Sequence, residues 1–143
     1  MSPRALRGAS AAVAAVGFAI AAYLTIVHFA GADPVCAIAH GCDVVQSSRY
    51  AEVGGVPVAL LGLLGYAGVL LTLLRDDEAA RTATAFLSLV GFGFSAWLTW
   101  VEVGELHAIC IWCVGSAICM TVLAALTVSR VLTVSPPELA RVR

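Results

Sequence analysis

The alternation of apolar and polar positions divides the chain into four long uncharged stretches, residues 8–32, 53–74, 82–101 and 106–129. Each approaches or exceeds the ~20 residues an α-helix needs to cross about 30 Å of hydrocarbon. Helix is the form in which a single segment satisfies its own backbone in lipid. The polar breaks are short: residues 75–81 part the second stretch from the third, and residues 102–105 part the third from the fourth. Short connections make consecutive helices antiparallel neighbours. The pattern therefore predicts an all-α integral membrane protein, a four-transmembrane-helix bundle over residues 1–134. The segment from Ser135-Pro136-Pro137 onward reads as a disordered tail, residues 135–143.

Composition strengthens this picture. Charged residues make up 12% of the chain and mean hydropathy is +0.97, against about 25% charged residues in soluble domains. A net charge of −1 argues against a nucleic-acid partner. The arginines give an orientation. Seven of the eight, Arg4, Arg7, Arg75, Arg81, Arg130, Arg141 and Arg143, fall on one side of a four-span arrangement, and only Arg49 on the other. The arginine-rich side, with both termini, is expected to be cytoplasmic. A cleaved signal peptide ending at Ala30-Gly31-Ala32 is the rival reading of the first stretch. Its apolar run of roughly 22 residues favours a span over a signal core of 7–15.

The cysteines carry the candidate chemistry. There are five, so one lacks an intramolecular partner. Cys110-Ile111-Trp112-Cys113 begins the fourth stretch, and two cysteines three apart on a helix share a face at disulfide distance. In a membrane helix such a dithiol suits electron exchange with a lipid-soluble acceptor. Cys36 and Cys42 lie in the loop between the first two spans, which the topology puts on the same, outer side, where disulfides persist. A water-exposed loop pair can reach a soluble protein and then a second dithiol by thiol–disulfide exchange. The fourth helix points its N-terminus at Cys110 and Cys113, which favours a thiolate. The alternative is a non-catalytic membrane scaffold in which Cys36 and Cys42 form a structural staple and the CxxC cysteines are buried small residues. Cys119, toward mid-membrane, reads as a small core residue.

Other residues modify the outline. Asp43-Val44-Val45-Gln46 has capping-box spacing and predicts a short surface helix in the first outer loop. Pro57 suits the first turn of the second span. The glycines Gly62, Gly65, Gly68, Gly91 and Gly93 offer close helix approach. His28, near the outer end of the first span, could hydrogen-bond a quinone carbonyl. His40 and His107 read as exposed loop or interfacial groups. The cysteine and histidine spacing is not that of a zinc finger, and no metal is expected.

These residues resemble bacterial members of the vitamin K epoxide reductase family. The likeness runs through Cys36-x5-Cys42-Asp43, Ser47-Ser48-Arg49-Tyr50, Gly55-Val56-Pro57, Gly62-x-x-x-Tyr66, Ser95-x-x-Leu98-x-Trp100 and Cys110-Ile111-Trp112-Cys113. It implies a four-helix bundle around a quinone (menaquinone or ubiquinone) in the cytoplasmic membrane, with the active site on the extracytoplasmic side. By the same resemblance, Cys36 and Cys42 take electrons from a thioredoxin-like protein, Cys110 exchanges with that pair, and Cys113 faces the quinone. Leu98 falls on a pocket-lining position, and Ser47 or Ser48 matches the family's loop serine. Animal members carry a tyrosine where this chain has Ala117, so plain quinone reduction is expected rather than reduction of vitamin K epoxide. Some bacterial members carry a fused thioredoxin-like domain; here the partner is expected to be a separate protein.

Overall fold

A computed structural model describes residues 2–32, 34–36 and 41–142, with side chains as far as residue 133. Helix α1 spans Pro3–Ala30. The Ser2 side chain accepts the Ala5 N–H at its start, Pro3 occupies the first turn, and Gly31 ends it at φ 65°. These are an N-cap, a proline whose missing N–H costs nothing there, and a left-handed C-cap. Helix α2 covers Cys42–Ser47, followed by a 3-10 turn, Arg49–Ala51. A two-residue hairpin pairs β1, Glu52–Val53, with β2, Val56–Pro57. Its turn uses Gly54 and Gly55 at φ 60° and 83°, which fits the right-handed twist of a tight hairpin.

Helices α3, Val58–Leu73, and α4, Glu78–Val101, follow. A π-helical turn, Glu102–Leu106, extends α4, and α5 runs Ile111–Val142. Helix α1 packs on α3 and α5, and α4 packs on the same two, which closes a ring of four. Three of them are long and apolar enough to cross a membrane: α1, α4 with its π turn, and α5 as far as Thr133. The core joins Ala14, Ala21, Tyr66, Val69, Met120 and Leu123, while Leu64, Leu71, Phe86 and Ile118 face outward. Apolar side chains on the outside as well as the inside mark a bundle made for lipid.

Several boundaries differ from expectation, the first helix starting already at Pro3 rather than residue 8. The second span begins at Val58 rather than residue 53, because the two glycines and Pro57 turn the preceding residues into a hairpin. Pro57 is thus the cap before the helix and not part of its first turn. The third starts at Glu78, four residues early, where an acidic side chain suits a helix N-terminus. The fourth starts at Ile111 and not at residue 106, since residues 107–110 are non-helical and His107 is left-handed at φ 48°. Residues 135–142, expected as a disordered tail, continue the α5 backbone. Extending a formed helix costs far less than starting one.

One end of the ring is closed by arginines. Arg7 donates through Nε and Nη2 to the Leu73 and Leu74 carbonyls at 2.8 and 2.9 Å, filling acceptors that a helix C-terminus leaves open. Arg130, buried on α5, pairs with Asp76 in the α3–α4 connection, and Arg81 reaches the same carboxylate at 3.5 Å. Arg130 thereby holds the Asp76 carboxyl below its ordinary pKa, against a smaller opposing effect of burial. Thr84 Oγ1 donates to Thr72 Oγ1 at 2.8 Å, fastening α4 to α3.

Candidate functional site

The opposite end gathers the cysteines. Cys36 and Cys42 form a disulfide, and Cys42 is the first residue of α2. The N-cap of α2 is Gly41, without a side-chain cap, so Asp43 sits inside the first turn and the expected capping box is absent. Gly41 answers a steric demand: a Cβ there would stand 2.6 Å from both N and O of Ile109. The loop disulfide therefore rests directly on the segment leading into α5.

Cys110 is the residue before α5, and its carbonyl accepts the Val114 N–H at 3.0 Å. That is the N-cap position, normally given to an oxygen-bearing side chain; here a sulfur faces the free amides. The Cys113 thiol is the chief neighbour favouring the Cys110 thiolate, with lesser help from the Cys113 and Trp112 amides. Together they hold the Cys110 thiol below its ordinary pKa, opposed by burial and by the charge of Glu102. Cys42, Val45 and Cys110 form one buried cluster, with Cys36, Trp112 and Cys113 packed around it.

Three further contacts fix this cluster. Trp112 Nε1 donates to the Val35 carbonyl at 2.8 Å, and the Val35 N–H donates to Tyr23 Oη at 2.9 Å. The two rings lie 4.8 Å apart, so the residue before Cys36 is gripped on both polar groups. Gln46 Nε2, from α2, donates to Cys113 Sγ at 3.5 Å. The Cys110 N–H donates to Glu102 Oε2 at 3.2 Å.

Beneath the cluster lies a cavity of about 320 Å³ enclosed by all four long helices. Its wall includes Leu24, Tyr66, Phe94, Leu98, Glu102 and Cys113. Glycines at 62, 65 and 91 and the alanine at 117 leave the space open. Cys113 lines this cavity whereas Cys110 does not. An apolar chamber of this size with a few polar groups at one end has the form of a small-molecule site.

All four predicted cysteines thus come together, and Leu98 lines the cavity. The remaining sequence candidates do not line it. His28 Nε2 lies 3.3 Å from Glu52 Oε1, tying α1 to the hairpin. Ser47 Oγ donates to Asp43 O at 2.6 Å and Ser48 Oγ to Val45 O at 2.7 Å, so both hydroxyls serve α2 itself. His107 is exposed, and His40 lies outside the described residues. Sequence reasoning missed Glu102 as a site residue because it reads as a loop acid; only the π turn carries it inward. It also took Gln46 for a helix cap, although the residue is one α-helical turn beyond Cys42.

An apolar cavity with one cysteine pair at its rim and a second pair seated above it defines a multi-pass membrane protein organised for thiol redox chemistry. The family model described as the Vitamin K epoxide reductase family matches residues 9–128, and the chain belongs to that family. Members are quinone-linked thiol oxidoreductases.

Proposed function

We propose that the protein is a quinone-dependent, disulfide-generating oxidoreductase of the cytoplasmic membrane, with the cysteine end extracytoplasmic and the arginine end inside. The observation that carries this reading is the division of the CxxC pair: Cys113 lines the apolar cavity, while Cys110 is buried with Cys42. The arginine distribution supports the orientation.

A thiolate of a separate thioredoxin-like protein attacks the Cys36–Cys42 disulfide, passes through a mixed disulfide, and leaves oxidised. The reduced loop pair then exchanges with a Cys110–Cys113 disulfide: a loop thiolate attacks Cys110 and Cys113 leaves, and the second loop cysteine resolves the mixed disulfide by displacing Cys110, whose thiolate the helix amides favour. The redox state described above, loop pair oxidised and CxxC reduced, is the one that follows this exchange. A quinone, when bound, accepts two electrons and two protons. The apolar wall suits its ring, Leu98 and Phe94 supply contact surface, and Cys113 presents the sulfur nearest the chamber. The cavity offers an alanine at 117 where animal relatives bear a tyrosine, which favours quinones over epoxides as substrates.

The test is quinone reduction by the purified protein given dithiothreitol and a short-chain ubiquinone. Turnover is expected in the parent and background rate in Cys113→Ala. Equal rates in the two would sink the assignment. Thiol trapping in intact cells separates the relay from a scaffold: mixed redox states of Cys36 and Cys42 are expected, and permanently oxidised cysteines argue for the scaffold.

A further inference from the structure

Glu102 is chemically out of place. It opens the π turn at the end of α4, is 4% exposed, and shares the wall of the cavity with Cys113. A buried carboxylate is costly unless charge or hydrogen bonds compensate it. The ion pairs among the described residues join arginine or histidine to Glu52, Asp76 and Asp77. Glu102 is instead turned onto the redox centre. Its Oε2 accepts the Cys110 N–H at 3.2 Å, and it shares the cavity wall with Cys113. Gln46 Nε2 meets the Cys113 sulfur at 3.5 Å. Cys113 therefore has a neutral donor that steadies a thiolate and a carboxylate that can remove its proton.

The chemistry of the cavity requires such a group. Oxidation of the Cys110–Cys113 dithiol breaks two S–H bonds, forms one S–S bond, and releases two electrons and two protons. These convert a quinone to its hydroquinone, with one proton on each ring oxygen. In an apolar chamber the proton leaving Cys113 has no bulk water to enter, so a fixed acceptor must lie beside the sulfur. Glu102 lines the chamber beside Cys113 and holds the Cys110 amide; Glu105, one turn on, is exposed.

We propose that Glu102 is the internal acid–base group of the quinone half-reaction. It takes the proton from Cys113 Sγ as the Cys110–Cys113 bond forms and delivers it to the acceptor's oxygen in the cavity. Cys110 reacts as a thiolate whose proton has already passed to the medium, and the hydroquinone's other oxygen regains one from the medium as it leaves the cavity. The inference rests on the quinone-linked reading above. It adds a catalytic residue on the wall of the chamber that Cys113 lines.

The experiment uses the full chain in detergent with dithiothreitol as reductant and ubiquinone-1 as acceptor. Glu102→Gln keeps an oxygen for the Cys110 N–H and removes the proton-carrying function. Its quinone-reduction rate is expected to fall about 10²-fold or more, while dithiothreitol still reduces Cys36–Cys42 by thiol trapping. Glu102→Asp should restore part of the rate. Infrared difference spectra of the wild type, oxidised minus reduced, should contain a carboxyl C=O band that shifts in D2O and is missing from Glu102→Gln. A Glu102→Gln rate within about threefold of wild type overturns the proposal, as does a redox difference spectrum without such a band. Should Glu102→Gln not fold, the wild-type spectrum and the Glu102→Asp rate decide the matter. A wild type that reduces no quinone overturns the function itself, whereas an active wild type with an equally active Glu102→Gln overturns only the role of Glu102.

Discussion

The arginine end and the cysteine end of the bundle are closed by different means. At the first, Arg7 binds the terminal carbonyls of α3, and Arg130 joins α5 to the α3–α4 connection through Asp76. These are charge-assisted contacts, roughly twice as strong as neutral hydrogen bonds. At the second, the loop and residues 107–110 are held mostly by single neutral or thiol contacts, Trp112 on Val35, Val35 on Tyr23 and Gln46 on Cys113, with one carboxylate, Glu102, on the Cys110 amide. The covalent tie there, Cys36–Cys42, is one that thiol exchange can open. The proposed relay would have to rearrange at each turnover, with its fixed reference at the other end.

Substitutions can break this contrast from either side. The largest effect is expected from Gly41→Ala. A Cβ 2.6 Å from the Ile109 backbone must push Cys42 away from Cys110. A displacement near 1 Å costs about 10²-fold in a positioned reaction, so dithiothreitol-driven quinone turnover should fall by that order. Thermal unfolding should change little, and a variant with parental turnover would show that the two segments do not need to touch. At the arginine end the signs reverse. Asp76→Asn leaves a buried guanidinium without its carboxylate and should cost about 2 kcal/mol of stability. That is less than the loss from a fully buried pair, because Asp76 is 58% exposed. Turnover per folded molecule should persist. The Asp76 carboxyl titrates lower in the folded chain than unfolded. Its stabilisation is therefore complete above the ordinary carboxylate pKa and fades as pH falls through the depressed value. Acid unfolding curves of parent and Asp76→Asn should converge at the acid extreme.

Smaller effects sharpen the cysteine end. Trp112→Phe retains a ring against Tyr23 but removes the Nε1 donor to Val35. About 1 kcal/mol is the typical worth of one such bond, so reduction of the loop disulfide by dithiothreitol should accelerate several-fold as Val35 is freed. An unchanged rate would mean the grip is incidental. The mildest signature is a pH profile. Because the Cys110 thiol is held below its ordinary value by the Cys113 thiol and the helix amides, its alkylation in the reduced protein should remain fast below pH ~8.5, where a free thiol loses reactivity. A midpoint at or above that pH would remove the N-cap explanation.

How much of this the chain discloses depends on the range of the interactions. The membrane character and the pairing of Cys36 with Cys42 are readable because lipid demands long apolar helices and a disulfide needs proximity. The cavity position of Leu98 was accessible through resemblance. Glu102 was not, because its burial depends on a π turn that no local propensity announces. Ser47 and Ser48 misled in the opposite direction: short hydroxyls beside a helix end satisfy the backbone first. Capping by Gly41 rather than Asp43 has a tertiary cause, contact with Ile109, that a four-residue motif cannot contain.

The brevity of α3 has a consequence for the surrounding lipid. Sixteen helical residues reach about 24 Å, some 6 Å short of a typical hydrocarbon core. The bilayer is therefore expected to thin, or its headgroups to dip, along this one flank, at a fraction of a kcal/mol per ångström. The cavity-lining residues Leu61 on α3 and Val90 on α4 are exposed at this side of the bundle. A dimpled leaflet there would bring a lipid-borne ring up to the chamber sideways, making local membrane thickness a determinant of the enzyme's supply.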